Sequence, residues 1–273
     1  MRDLQADIIT ELGVMPSIDP QIEVQRRVQF LIDYAVQAHA KGFVLGISGG
    51  VDSTVGGRIC QLAVEAGRDQ GHQLEFHAVT IPHKMQLDSH DAQSAMAFIA
   101  ADHRHDFNIG ETTDAFGEEF QRAFGQTSTD YNLGNVKARL RMVVQFALAG
   151  QLGLMVVGTD QAAESLTGFY TKFGDGAADI MPLAGLNKRQ VRAIADYLGA
   201  SAALRDKAPT ADLLGDKPGQ LDEVELGVSY DAIDDYLEGK TVAEVDAKQI
   251  EKLYLRSRHK RHLPVTPAAQ WWQ

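Results

Sequence analysis

The run Gly46-Ile47-Ser48-Gly49-Gly50-Val51-Asp52-Ser53, preceded by the apolar Gly42-Phe43-Val44-Leu45, constrains this chain more than any other stretch. A short apolar run bounded by glycine reads as a strand buried on both faces. The glycines after it require a tight turn, and the residues beyond have helical spacing, so the unit is strand, turn, helix. That turn presents backbone N–H groups and the Ser48 and Ser53 hydroxyls to an anion at a helix N-terminus. It departs from the G-x-x-x-x-G-K-[ST] loop, whose lysine reaches terminal phosphates, because Asp52 stands beside the last serine. An acid inside an anion cradle makes chemical sense when a divalent cation links it to phosphate oxygens. The competing reading is a ligand-free turn.

Strand and helix patterns alternate from there on. Residues 42–47, 74–81, 104–109 and 154–158 read as strands, and 53–66, 89–101, 111–124 and 132–151 as helices. This alternation predicts an α/β fold, a doubly wound parallel sheet flanked by helices and Rossmann-like, with ligands at the carboxyl ends of its strands. Residues 46–53 and 158–164 fall at such ends. Ahead of the first strand, 19–40 carries Ile22, Val28, Leu31, Ile32, Ala35 and Val36 at helical spacing, a face for the sheet or for a partner subunit. Asn187 caps a helix over 188–198 that Gly199 ends, and 230–237 and 242–257 read as short helices. Segments 82–88, 167–182 and 207–221 read as loops. The expected division is one domain over 1–273: a helical segment at 1–40, an α/β nucleotide-binding core at 41–200 and a helical extension at 201–273.

A formal charge of −11 and a pI near 5.2 argue against a nucleic-acid-binding surface. No apolar run is long enough for a membrane span, and the first thirty residues lack a targeting pattern. The lone Cys60 excludes an intramolecular disulfide and a cysteine zinc site. A cytoplasmic protein is the expectation.

Other residues add chemistry. Val156-Val157-Gly158-Thr159-Asp160-x-x-x-Glu164 delivers Thr159 to a strand end and places Glu164 to share a magnesium ion with Asp52, or else Thr159 or Asp160 is a helix cap and Glu164 a solvated acid. Asn135 and Arg139 share a helical face, with Val136, Leu140, Val143 and Val144 on the packing side. Arg139 is a fork for a carboxylate or phosphate, or a surface charge. Lys172-Phe173-Gly174-Asp175-Gly176-Ala177-Ala178-Asp179 joins fixed charges to a flexible backbone, which suits a loop over substrate or an exposed turn. Lys188 points at an anion or into solvent; Thr210 is a phosphate ligand or a turn residue. The basic run at 256–262 receives an anion or completes a helix end. His103 and His105 alternate on a strand with no third ligand nearby and read as structural. Trp271 and Trp272 read as a docking anchor or a tail.

The S-G-G-x-D-S pattern resembles the pyrophosphate loop of the ATP pyrophosphatases. With Asn135-x-x-x-Arg139-x-Arg141-Met142, Gly158-Thr159-Asp160-x-x-x-Glu164, the Lys172 to Asp179 loop, the Leu226 to Leu237 stretch and His259-Lys260-Arg261, nearly the whole chain is similar to the ammonia-dependent NAD synthetases. The resemblance implies the adenine nucleotide alpha hydrolase-like fold and a homodimer with the dinucleotide across its interface. Helix 19–40 and the helix bearing Arg139 are the interface candidates. It implies ATP on Gly46, Ile47, Ser48, Gly49, Gly50, Val51, Asp52, Ser53, Thr159, Lys188 and Thr210, with Mg²⁺ on Asp52 and Glu164. It implies deamido-NAD on Arg139, Lys172, Asp179, His259 and Lys260, with Asp175 as the candidate for ammonium capture or the base. The implied reaction makes an acyl adenylate from ATP and amidates it with ammonia. Because the synthetase pattern starts within fifty residues of Met1 and Cys60 is out of context for a glutaminase, free ammonia or ammonia from a partner is expected. A GMP-synthetase-like amidator and an ATP-binding regulatory module of the universal-stress fold are the alternatives; the Lys172 to Asp179 loop speaks against the second.

Overall fold

The structure is a computed structural model and describes residues 2–84, 89–209 and 220–272. Helices α1 (Asp3–Leu12) and α2 (Pro20–Gln37) lead into strand β1 (Gly42–Gly46), α3 (Val51–Asp69), β2 (Glu75–Thr80) and α4 (Ser89–Ile99). Then come β3 (His103–Asp106), α5 (Gly110–Phe124), α6 (Asp130–Leu152), β4 (Met155–Val156) and α7 (Ala162–Thr167). Helices α8 (Lys188–Tyr197), α9 (Ala202–Arg205), α10 (Asp222–Leu226), α11 (Tyr230–Leu237) and α12 (Glu244–Ser257) follow. The strands pair in parallel in the order β3-β2-β1-β4.

Side chains alternate across a strand, and here both faces are covered. Phe43 and Leu45 of β1 enter a core with Leu31 of α2, Ile59 of α3 and Val191 of α8. Val44 enters the opposite core with Val79, Val156 and Ala149 of α6. From β1 the chain builds outward to β2 and β3, then returns to add β4 on the other side. The order therefore reverses between β1 and β4, which opens a crevice at their carboxyl ends. A third apolar cluster joins Ile8 of α1 to Leu166 of α7, Tyr236 of α11 and Ile250 of α12. Arg2 reinforces it by pairing with Glu244 at 2.7 Å and Glu251 at 2.6 Å.

Several expectations need correction. The strand expected over 154–158 is β4 alone, because Val157 leaves it to bridge Ile180, a residue of the expected loop 167–182. The strand expected over 104–109 is His103–Asp106; beyond it only single backbone bonds from Phe107 to Thr80 and Ile109 to Pro82 persist. Val143 is 54% exposed, so it is not on the packing side of α6, whereas Leu140 and Val144, one turn apart, pack on the sheet. Along α2, Leu31, Ile32 and Ala35 are buried while Ile22 and Val36 face out. Among the described residues no helix is long and apolar enough to cross a membrane.

Candidate active site

The glycine loop sits at the crevice. At the end of β1 the Gly46 N–H donates to Gln145 Oε1 of α6 at 2.7 Å. Gly50 is the N-cap of α3, no side chain caps that helix, and Asp52 and Ser53 fall in its first turn. The Ser48 and Ser53 hydroxyls lie 3.1 Å apart, and the Gly50 N–H donates to Ser48 Oγ. Gly49 has φ +84° and a Cβ there would come within 2.7 Å of the Ala92 nitrogen, so only glycine lets the loop pass α4. Ser48, Gly50, Val51, Asp52 and Ser53 line a cavity of about 300 Å³. An uncapped helix N-terminus with two hydroxyls opening onto a cavity has the donors that an anion needs.

Opposite the loop, acids converge on one lysine. Lys188 Nζ lies 2.5 Å from Asp52 Oδ2, 3.7 Å from Glu164 Oε1 and 5.0 Å from the centre of the Tyr230 ring. Its side chain is 2% exposed, which removes the solvated alternative. Helix α8 holds it: Asn187 caps the first turn, and the Lys188 and Arg189 N–H groups donate to Asp234 at 3.0 and 2.8 Å. Burial opposes the ammonium charge, yet Asp52 and Glu164 outweigh it and raise the Lys188 pKa. The same burial, with the neighbouring acids, holds Asp160 and Glu164 well above the usual carboxylate range. Asp160 is not a helix cap, since Gln161 caps α7. Asp52 Oδ1 is buried without a hydrogen-bond partner. An excess of half-buried carboxylates with an unsatisfied oxygen is the donor set that a hard divalent cation fits.

A second cavity of about 490 Å³ lies between α6, residues 167–175 and α12, and the two cavities meet at Phe169, Asp175 and Asp222. Asp175 is exposed to this space yet enclosed by protein, and that enclosure raises its pKa while the Thr171 N–H, donating at 2.9 Å, opposes the rise. Arg139 donates to the Lys172 carbonyl at 3.3 Å, and Lys172 Nζ donates to the His259 carbonyl, which ties α6, the loop and the C-terminal turn together. Lys260 Nζ donates to the Gly168 and Tyr170 carbonyls, each at 2.7 Å. His259 and Lys260 line the second cavity; Thr159 lines the first. Asp179 lines neither: its Oδ2 accepts the Val156 N–H at 2.8 Å and secures the bridge beside β4. Thr210 lies outside the described residues. Sequence reasoning missed Asp160 as part of the acidic cluster, although it adjoins Thr159, and missed Tyr230 and Asp234 because their partner Lys188 is more than forty residues away.

Comparison with known proteins bears on this arrangement. The family model described as NAD synthase matches residues 23–264. The NH(3)-dependent NAD(+) synthetase of Bacillus cereus is 55% identical over 270 residues, covering 99% of both chains. The structure superposes on the NAD+ synthetase from Burkholderia pseudomallei with a TM-score of 0.82 at 43% identity, over 95% of this chain and 96% of that one. An NMN synthetase from Francisella tularensis gives 0.81 at 37% identity, over 93% and 100%. A glycine loop facing half-buried acids at the sheet's switch point accords with a sequence likeness along nearly the full length, and on that likeness this chain belongs to the NAD synthase family.

Proposed function

We propose that the chain is the ligase that amidates deamido-NAD with ammonia at the cost of ATP, the final step of NAD biosynthesis. Lys188, held between Asp52 and Glu164 across from the uncapped α3, is the observation that carries this reading. A pyrophosphate leaving group would sit between the loop amides and that ammonium. Asp52 and Glu164, with Asp160 beside them, would hold a magnesium ion. When bound, the ion supplies positive charge that offsets the charge growing on phosphate oxygens.

A nicotinate carboxylate resists amidation because its leaving group would be oxide. Attack of a carboxylate oxygen on the α-phosphorus of ATP breaks the bond to the β-phosphate bridge and releases pyrophosphate. The chain's part is to align carboxylate and phosphorus where the cavities meet. His259 and Lys260 line the larger cavity, and Arg139 and Lys172, which line neither cavity, brace its wall; the dinucleotide would lie along it. Ammonia then attacks the acyl carbon, and AMP departs with the former carboxylate oxygen. Asp175 at the junction, with its raised proton affinity, takes the proton from ammonium. The role of Asp179 in this scheme is indirect, through the β4 edge. Dimerisation through α6, where Val143 and Tyr131 are exposed beside Arg139, would close the dinucleotide site. A single buried cysteine suits the reducing cytoplasm.

Incubation with ATP, Mg²⁺, ammonium and deamido-NAD tests the reading. NAD, AMP and pyrophosphate should appear in equal amounts. ADP in place of AMP, or turnover of nicotinate mononucleotide in preference to the dinucleotide, would contradict it.

A further inference from the structure

We propose that Glu75, His77 and His103 form a binding site for one zinc-class divalent ion at the outer edge of the sheet, outside both cavities. In the parallel register of β2 and β3, His77 is directly paired with His103. Glu75 precedes His77 by two residues and so shares its face. Each of the three offers one ligand atom, and these atoms lie within 4.8 Å of one another. Glu75 Oε1 is 3.4 Å from His77 Nε2, and Glu75 Oε2 is 3.3 Å from His103 Nε2. A tetrahedral ion with bonds of about 2.0–2.1 Å sets its ligand atoms about 3.3 Å apart. Glu75 meets that spacing to each imidazole through a different oxygen, and a side-chain rotation that parts the stacked His77 and His103 rings, 4.3 Å apart at their centres, would turn both Nε2 atoms onto one ion.

His77 supplies a second and independent observation. The residue is 5% exposed, and its Nε2 is buried without a hydrogen-bond partner, facing a carboxylate. Its other ring nitrogen, Nδ1, lies 2.9 Å from His105 Nε2. When Nδ1 carries the proton and donates it to His105, Nε2 keeps a lone pair in a dry place, which a cation would satisfy. His105 thus orients His77 as hydrogen-bonded partners orient metal-bound imidazoles elsewhere. The half-exposed His103 leaves an entry path and room for a water as fourth ligand. Two imidazoles and one carboxylate select zinc, cobalt, nickel or copper over magnesium, which separates this site from the acids around Lys188. The ion would bind β3, an edge strand of four residues with mostly exposed side chains, to β2. The neighbouring strand brings Glu75 and His77 beside His103, a grouping that the spacing of His103 and His105 along their own strand does not reveal.

The test is zinc titration calorimetry on the chelator-treated full chain with magnesium in excess, repeated with Co²⁺ to record its visible spectrum. One equivalent should bind, with the absorption of a four-coordinate nitrogen and oxygen site. At a hundred times its dissociation constant, zinc should raise the melting temperature by roughly 5 °C. H103N, at an exposed edge position, and E75Q, at a half-buried one, should each weaken binding at least tenfold, and H105N by about tenfold. No uptake at micromolar free zinc would overturn the proposal. So would binding unchanged in both H103N and E75Q, which would mean that zinc sits adventitiously on other histidines among the nine.

Discussion

Lys188 is an ammonium with 2% exposure whose nearest groups are the Asp52 and Glu164 carboxylates. Removing it leaves two half-buried acids facing one another, which in a metal-free protein costs about 3 kcal/mol. The K188M variant should therefore melt lower without Mg²⁺, recover much of that loss with it, and lose about 10²-fold or more in kcat; calorimetry and steady-state kinetics read these separately. Asp160 and Glu164 hold protons more tightly in the folded state than in the unfolded one. Between the ordinary carboxylate range and their raised values the native state binds more protons, so stability from this source falls as pH rises. Metal-free protein should gain stability from this source as pH falls through the raised values towards the ordinary carboxylate range, and Mg²⁺ or D160N should diminish that gain. A melting curve independent of pH in the metal-free protein would exclude the acidic cluster as drawn. At this scale the sequence is legible where chemistry is local: the serines, glycines and Asp52 of the loop stand within eight residues. Asp160 was not, because a residue beside Thr159 reads equally as a cap until Gln161 is seen in that place.

Elements turn those residues toward one another. Loop 47–50 passes α4 only through Gly49, whose φ of +84° and contact with the Ala92 backbone both exclude a side chain. G49A should cost about 2 kcal/mol in stability and weaken ATP binding about tenfold or more, since the loop or α4 must move; fluorescence titration with ATP and chemical denaturation measure the two effects. Glycine-bounded apolar β1 and the capped α8 were readable because each carries its own start and stop signals. The short β4 was overextended because Val157 and Gly158 continue the apolar pattern while their backbone pairs with Ile180. Local pattern records burial, and burial does not say which strand lies alongside. His77 illustrates the same limit, for its partners come from register and not from spacing.

For the whole molecule, the cluster of α1 with α7, α11 and α12 joins the two ends of the chain, a contact no periodicity reveals. Phe116 and Phe124 of α5 and Tyr131 and Val143 of α6 remain exposed. If this face forms the proposed dimer, V143E should sediment as a monomer and raise the KM for deamido-NAD more than that for ATP. A stable V143E dimer would move the interface to α2, whose Ile22 and Phe30 are also exposed. The central claim is that ATP activates the nicotinate carboxylate by adenylation at the junction of the cavities. It is tested most directly with deamido-NAD labelled with ¹⁸O in that carboxylate, followed by mass spectrometry of the nucleotide product. One labelled oxygen should appear in the phosphate of AMP for each NAD formed; unlabelled AMP, or label released in inorganic phosphate, would contradict the account.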